Sequence, residues 1–264
     1  MQFDIQEIVK IAEDAGRAVM EIYTGPDFNT TYKNDRSPLT LADTASNTLI
    51  TERLKALVPG LPVLSEEAAA VPYEERRQWK AYWLVDPLDG TKEFIKRNGE
   101  FTVNIALIGE HSPVLGVVNA PSLGVTYYAS AGEGAFKKER GKGGVKIGVR
   151  QRQEDGLKIV ASRSHGSEAL TRLLTKIGPA EYIGMGSSLK LCLVADGTAD
   201  LYPRLGPTME WDTAAAQCVV EEAGGFVTDT SGKRLLYNKE DLHNSDFIVS
   251  SGEEILNKCI AQRA

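Results

Sequence analysis

Three short stretches of this 264-residue chain set carboxylates beside turn-forming residues: Ser65-Glu66-Glu67, Asp86-Pro87-Leu88-Asp89-Gly90-Thr91 and Trp211-Asp212-Thr213. Each has an ordinary reading. The first is a polar loop before a helix. The second is a tight turn, since Asp-Pro and Asp-Gly both favour turns. The third is a helix N-cap, with Gly224-Gly225 as the matching C-cap. Each also suits metal ligation. Glu66, Asp86, Asp89 and Asp212 are hard oxygen donors, the Leu88 carbonyl adds another, and such donors suit Mg²⁺ rather than Zn²⁺. Carboxylates ~4 Å apart repel by about 4 kcal/mol per pair at an effective dielectric of about 20. A cluster of them therefore calls for cations. Two Mg²⁺ ions about 3.5–4 Å apart would neutralise it, activate a water and steady a leaving oxygen. The sequence alone leaves open whether the four acids meet.

The elements that must position these groups can be read from periodicity. Ile5, Ile8, Ala12, Ala15, Val19 and Ile22 recur at helical spacing and predict a long amphipathic first helix, closed by Gly25-Pro26. A second helix is expected from about Ala42 to Val58. Strands are expected at Pro62 to Leu64, Tyr82 to Val85, Phe101 to Ile108, Val114 to Asn119 and Val125 to Ala129, and the first two run directly into the acids. After the Gly-rich stretch Gly141 to Gly144 the pattern alternates. Strands are expected at Lys158–Ala161, Glu181–Ile183, Asp200–Tyr202, Gly225–Thr228 and Phe247–Ser250. Helices are expected at Ser167–Ile177, Ser188–Ala195, Thr213–Ala223 and Glu253–Ala261. The basic stretch Lys137 to Arg152 reads as a solvated loop and hairpin. The expected organisation is two halves, residues 1–140 and 141–264, with the boundary near residues 138–146.

Composition narrows the class. The chain is 42% hydrophobic and 25% charged, with a net charge of -6, as in an ordinary globular enzyme. A chain of this length buries roughly three-quarters of its unfolded surface, so a bound metal would point to chemistry rather than to a structural staple. No concentrated basic face is present, which argues against a nucleic-acid polymer as partner. A small anion remains compatible, because a metal can supply positive charge locally. The three cysteines, Cys192, Cys218 and Cys259, are odd in number and far apart, as in reduced thiols. Met1 to Lys10 carries acids and no long apolar core, unlike a signal peptide, and no apolar run is long enough to span a membrane. A cytoplasmic location is expected, with peripheral association at the cytoplasmic face of the inner membrane as the alternative. A monomer and a homodimer are equally open.

Asp86-Pro-Leu-Asp-Gly-Thr91, Ser65-Glu-Glu67 and Trp211-Asp-Thr-Ala-Ala215 together resemble the three signatures of the inositol monophosphatase superfamily of lithium-sensitive Mg²⁺ phosphatases. The resemblance spans essentially the whole chain, in the expected order. Within it, Asp86 to Asn98 resembles the bacterial CysQ-type 3'(2'),5'-bisphosphate nucleotidases. Inositol monophosphatases typically carry Thr-Asn-Phe where this chain has Lys92-Glu93-Phe94.

The resemblance implies an α/β fold layered as an α-β-α-β-α sandwich. It implies Mg²⁺, two or more ions per site, with Glu66, Asp86 and the Leu88 carbonyl at one and Asp86, Asp89 and Asp212 at the other. Thr91 would position the attacking water, with Asp43 as its partner; the ordinary reading of Asp43 is an acid favoured in a helix's first turn. Glu67 would hold a further water. The substrate would touch Glu66, Leu88, Asp89, Gly90, Thr91, Ser162, His165, Gly186, Ser187, Lys190 and Asp212, with Lys190, Arg163 and Arg204 as candidate partners of a second phosphate. The implied reaction is hydrolysis of a small bisphosphonucleotide, 3'-phosphoadenosine 5'-phosphate, to AMP and phosphate, clearing a by-product of sulfate activation. An inositol monophosphatase, a sugar bisphosphatase and a silent nucleotide-binding module are the alternatives.

Overall fold

A computed structural model of the chain describes residues 4–26, 28, 30–32, 38–68, 70–151, 156–162 and 168–261. Its first half runs α1 (Ile5–Tyr23), β1 (Thr31–Tyr32), β2 (Pro38–Leu39), α2 (Leu41–Leu57), β3 (Val63–Ser65), α3 (Tyr73–Arg76), β4 (Ala81–Asp89) and α4 (Thr91–Ile95). Then follow β5 (Thr102–Gly109), β6 (Ser112–Ala120), β7 (Val125–Ser130), β8 (Gly134–Glu139) and β9 (Gly144–Ile147). The remainder is β10 (Leu157–Ser162), α5 (Glu168–Ile177), β11 (Ala180–Met185), α6 (Leu189–Ala195), β12 (Leu201–Arg204), α7 (Glu210–Glu222), β13 (Phe226–Asp229), β14 (Phe247–Ser250) and α8 (Glu253–Ala261). None of the described helices is long and apolar enough to cross a membrane.

Strands β3 to β9 form a seven-stranded sheet in chain order, antiparallel except for the parallel pair β3 and β4. A five-stranded sheet has the order β11-β10-β12-β14-β13. The basic stretch after residue 136 contributes β9 and the end of β8, so the loop-and-hairpin expectation resolves into a strand pair at the sheet edge.

Strand alternation decides the layering, because successive side chains leave opposite faces. Along β4, Trp83 and Val85 pack with Ile8, Ala12 and Ile50 of α1 and α2, whereas Tyr82 and Leu84 join the buried face of α7. In the second sheet Val160, Tyr202 and Val249 face α6 and α7, while Ile159, Leu201 and Ile248 face α5 and α8. The stack is therefore α1/α2, first sheet, α6/α7, second sheet, α5/α8: the expected five-layer sandwich.

Helix α7 lies between the two sheets, and its inner residues Ala214, Ala215 and Ala216 are small and buried. At Gly116 of β6 a Cβ would lie 2.1 Å from the Ala215 carbonyl oxygen. The missing side chain lets the helix backbone rest directly on the sheet.

Candidate metal centre and active site

The centre begins at the end of β3 and the last residues of β4. These parallel strands carry Ser65 opposite Val85, so the next residues, Glu66 and Asp86, lie side by side. The Glu66 N–H bonds the Val85 carbonyl at 3.2 Å and fixes that step. Asp86 and Asp89 are three residues apart and would fall on opposite faces of a regular strand. The register shows otherwise: Asp86 pairs with Asn104 and Asp89 with Thr102, three steps on β4 against two on β5. That extra residue is a bulge, which re-aims side chains, and it restores both aspartates to one side. Pro87 sits at the irregularity, where its missing N–H costs nothing, and its carbonyl accepts from Ser46 Oγ at 2.7 Å. Gly90 then takes φ +90°, a left-handed turn that suits glycine.

Asp212 arrives on α7. It is not the N-cap; α7 begins at Glu210, and Asp212 is in its first turn, with its Oδ2 accepting from the Met209 N–H at 2.9 Å. Asp43 plays the same part in α2, its Oδ2 accepting from Thr40 N at 2.7 Å and Thr40 Oγ1 at 2.6 Å. Asp86 Oδ1 accepts from the Leu88 N–H at 3.0 Å, and Asp89 Oδ2 from the Ser188 N–H at 2.5 Å. In all four aspartates one oxygen is tied to a backbone N–H. The first-turn reading of Asp43 holds, the N-cap reading of Asp212 is corrected to a first-turn position, and each aspartate keeps a second oxygen for chemistry.

Glu66, Asp86 and Asp212 each bring a carboxylate oxygen to within 4.8 Å of the other two. The cluster fits a cation on electrostatic grounds. Burial, then the charges of Glu66, Asp89 and Asp212, push the Asp86 carboxyl well above the usual carboxylate range. Burial and Asp89 do the same to Asp212. Asp89 is also raised by burial, against the opposing pull of Lys190 and the Ser188 N–H. Buried acids that cling to protons are acids short of positive charge, and their all-oxygen donor set suits a hard divalent ion.

Thr91 stands at the edge of this cluster. Its Oγ1 lies 3.4 Å from Asp43 Oδ1 and 3.3 Å from the Leu88 carbonyl, so the anticipated Thr91–Asp43 pair is brought together. Burial raises the Asp43 carboxyl. Glu66, Asp86, Asp89, Asp212 and Thr91 line a cavity of about 410 Å³.

The wall facing them is the 186–190 segment. Gly186 and Ser187 line the cavity, Ser187 in the left-handed region at φ +46°. Lys190 is buried; its Nζ donates to the Ser187 carbonyl and sits 5.6 Å from the Tyr202 ring centroid. Arg204 also lines the cavity, and its buried Nε has no partner among the described residues. Arg163 and His165 lie outside the described residues, as does the side chain of Ser162, whose backbone ends β10. Tyr202, Glu93 and the Pro207–Met209 segment line the cavity without having been assigned roles from sequence. Tyr202 carried a signal, being in a short strand beside Arg204; the 207–209 segment carried none beyond its turn residues.

The fold and these motifs have counterparts. The model of the inositol monophosphatase family matches residues 2–264. A 3'(2'),5'-bisphosphate nucleotidase CysQ of Salmonella typhimurium is 49% identical over 248 residues, covering 93% of this chain and 99% of that protein. Among solved structures, CysQ from Bacteroides thetaiotaomicron superposes with a TM-score of 0.83 at 41% identity, covering 93% of this chain and 96% of that one. The suhB protein of Bartonella henselae gives 0.82 at 26%, covering 98% and 97%. A match running through both sheets, from the first helix to the last, leaves one assignment: the chain belongs to the inositol monophosphatase family.

Proposed function

We propose that the chain is a Mg²⁺-dependent 3'(2'),5'-bisphosphate nucleotidase, hydrolysing 3'-phosphoadenosine 5'-phosphate to AMP and phosphate. The observation that carries this reading is the meeting of Glu66, Asp86 and Asp212 within 4.8 Å beside the Thr91–Asp43 pair. The named CysQ relatives supply the substrate class.

Glu66, Asp86 and the Leu88 carbonyl would hold one Mg²⁺, and Asp86, Asp89 and Asp212 a second. Bound there, the metals would activate water and offset charge on the departing oxygen. The rest belongs to the chain's own residues. Thr91 Oγ1 can donate to only one acceptor at a time. When it donates to Asp43, its lone pairs are left to accept from a water and aim it at phosphorus. Asp43 is held by the two Thr40 bonds, so Thr91 is oriented before substrate arrives. Arg204, with its unpartnered Nε, and Lys190 behind Ser187 are the cations suited to the second phosphate. Three buried free thiols suit a reducing, cytoplasmic setting.

Phosphate release from 3'-phosphoadenosine 5'-phosphate, inositol 1-phosphate and fructose 1,6-bisphosphate, with and without EDTA, tests this. We expect turnover of the bisphosphonucleotide alone, abolished by the chelator. Preference for the inositol ester, or full activity in EDTA, would refute it.

A further inference from the structure

Close packing beneath the 186–188 loop gives a role to a residue that the reaction does not touch. Glu100 is buried, and its Oε2 accepts from the Gly186 N–H at 2.8 Å, across 86 residues of sequence. Its own place is set locally by the bond from its N–H to Asn98 Oδ1 at 3.0 Å. Two residues along the loop, the Ser188 N–H is held by Asp89, and Ser188 Oγ is 2.9 Å from Asn104 Oδ1 and 2.8 Å from Thr102 Oγ1. Ser187 lies between these anchors with φ +46°. A residue with a side chain holds that conformation only when its surroundings impose it. Both flanking N–H groups are gripped by carboxylates, and that grip imposes it.

The fit leaves no slack. A Cβ at Gly186 would come within 2.7 Å of Glu93 Cγ, 2.9 Å of the Glu100 carbonyl oxygen and 3.0 Å of Glu100 Cβ. A Cβ at Gly90 would lie 3.1 Å from the Glu100 carbonyl oxygen and 3.3 Å from Ser187 Cβ. The Asp86–Thr91 turn, the 98–100 segment and the 186–188 loop are therefore packed as one block. The Ser188 N–H orients Asp89, and the Ser187 carbonyl seats Lys190.

We propose that Glu100 is a positioning residue, clamping the 186–188 loop through Gly186 so that Asp89 is aimed at the metal cluster and Lys190 at the substrate. The kinetic half of this inference rests on the phosphatase reading above; the metal half does not.

The test uses the full chain in five forms: Glu100→Ala, Glu100→Gln, Gly186→Ala, the double variant Glu100→Ala/Gly186→Ala, and Asp200→Asn. Asp200 is a remote buried carboxylate that likewise accepts from a backbone N–H, that of Lys158 at 2.7 Å. Mg²⁺ affinity is read without substrate by titration calorimetry, and KM and kcat on 3'-phosphoadenosine 5'-phosphate. Glu100→Ala should weaken Mg²⁺ binding about tenfold, as loss of a group that orients a metal ligand does, and raise KM more than it lowers kcat. Glu100→Gln, whose amide oxygen can accept the same N–H, should recover most of both. Gly186→Ala should reproduce Glu100→Ala, and the double variant should be no worse than either, since one clamp is broken only once. Asp200→Asn should lose thermal stability with its Mg²⁺ affinity intact. The proposal fails if folded Glu100→Ala binds Mg²⁺ like wild type, if Glu100→Gln is as impaired as Glu100→Ala, or if Asp200→Asn weakens Mg²⁺ equally. A wild-type chain that binds Mg²⁺ yet leaves the bisphosphonucleotide intact overturns the activity, while the calorimetric comparison still decides the clamp.

Discussion

At the scale of single residues, the centre trades stability for charge. Asp89 is buried and its carboxyl is pushed up, so the free protein bears a cost for each charge that no cation offsets. Asp89→Asn removes the charge and keeps an oxygen that can still accept from the Ser188 N–H. Turnover should fall by about a hundredfold or more, while the melting temperature of the metal-free protein stays level or rises. Unchanged turnover, or collapse of the fold, would remove Asp89 from the ligand set. The residue types were legible in the sequence because hard acids beside strand ends say what they can bind. A helix-start role compatible with ligation was legible too, at Asp43 as a first-turn acid and at Asp212 as a cap. Which backbone N–H each carboxylate takes was not, because that depends on geometry a few atoms away.

At the scale of elements, the position of Asp212 depends on how α7 sits on the first sheet. The helix backbone passes so close to β6 that a methyl group on Gly116 would overlap the Ala215 carbonyl. Overpacking of this kind costs about 1–3 kcal/mol, or roughly 5 °C in melting temperature for a chain of this size. Gly116→Ala should show that loss and also need more Mg²⁺ for half-maximal activity, because the helix carrying Asp212 is displaced. Gly109→Ala, whose new carbon would meet only Val114 at 3.4 Å, is the matched control and should do neither. Equal melting temperatures for the two variants would show that the helix has room to spare. Local pattern found these elements well: α8 and β14 have the expected limits, and α1 and α2 lie within a residue or two of theirs. It missed β9, whose Gly-rich approach and exposed Val145 carry no core-facing alternation. It could not show the bulge at Asp86–Asp89 either. Period-two reasoning places residues three apart on opposite faces, and only pairing with β5 reveals the extra residue.

At the scale of the whole molecule, acids from the ends of the first sheet and from α7 meet in one cluster, so a cation held there would contribute to stability as well as to chemistry. The sign follows from the direction of the shifts. Asp86, Asp89 and Asp212 all have carboxyls raised in the folded chain above their ordinary value of 3.8. A raised group contributes fully below its unfolded value and loses that contribution as pH climbs toward the folded one. The metal-free protein should therefore lose stability through these groups as pH rises above the ordinary carboxylate range. Mg²⁺ bound among these acids would replace the protons, so its binding would release them and tighten as pH rises. At about a hundred times its dissociation constant a ligand adds ~2.7 kcal/mol, and that gain should be larger at the alkaline end. Paired melting curves in EDTA and in Mg²⁺ across the rise in pH give the difference directly, because charges remote from the cluster act alike in both and cancel. The gap should widen with pH in the wild type and widen less in Asp212→Asn, which has lost one of the three raised carboxyls. A gap that stays constant with pH, or one that Asp212→Asn leaves unaltered, would mean that the ion binds somewhere other than among these acids.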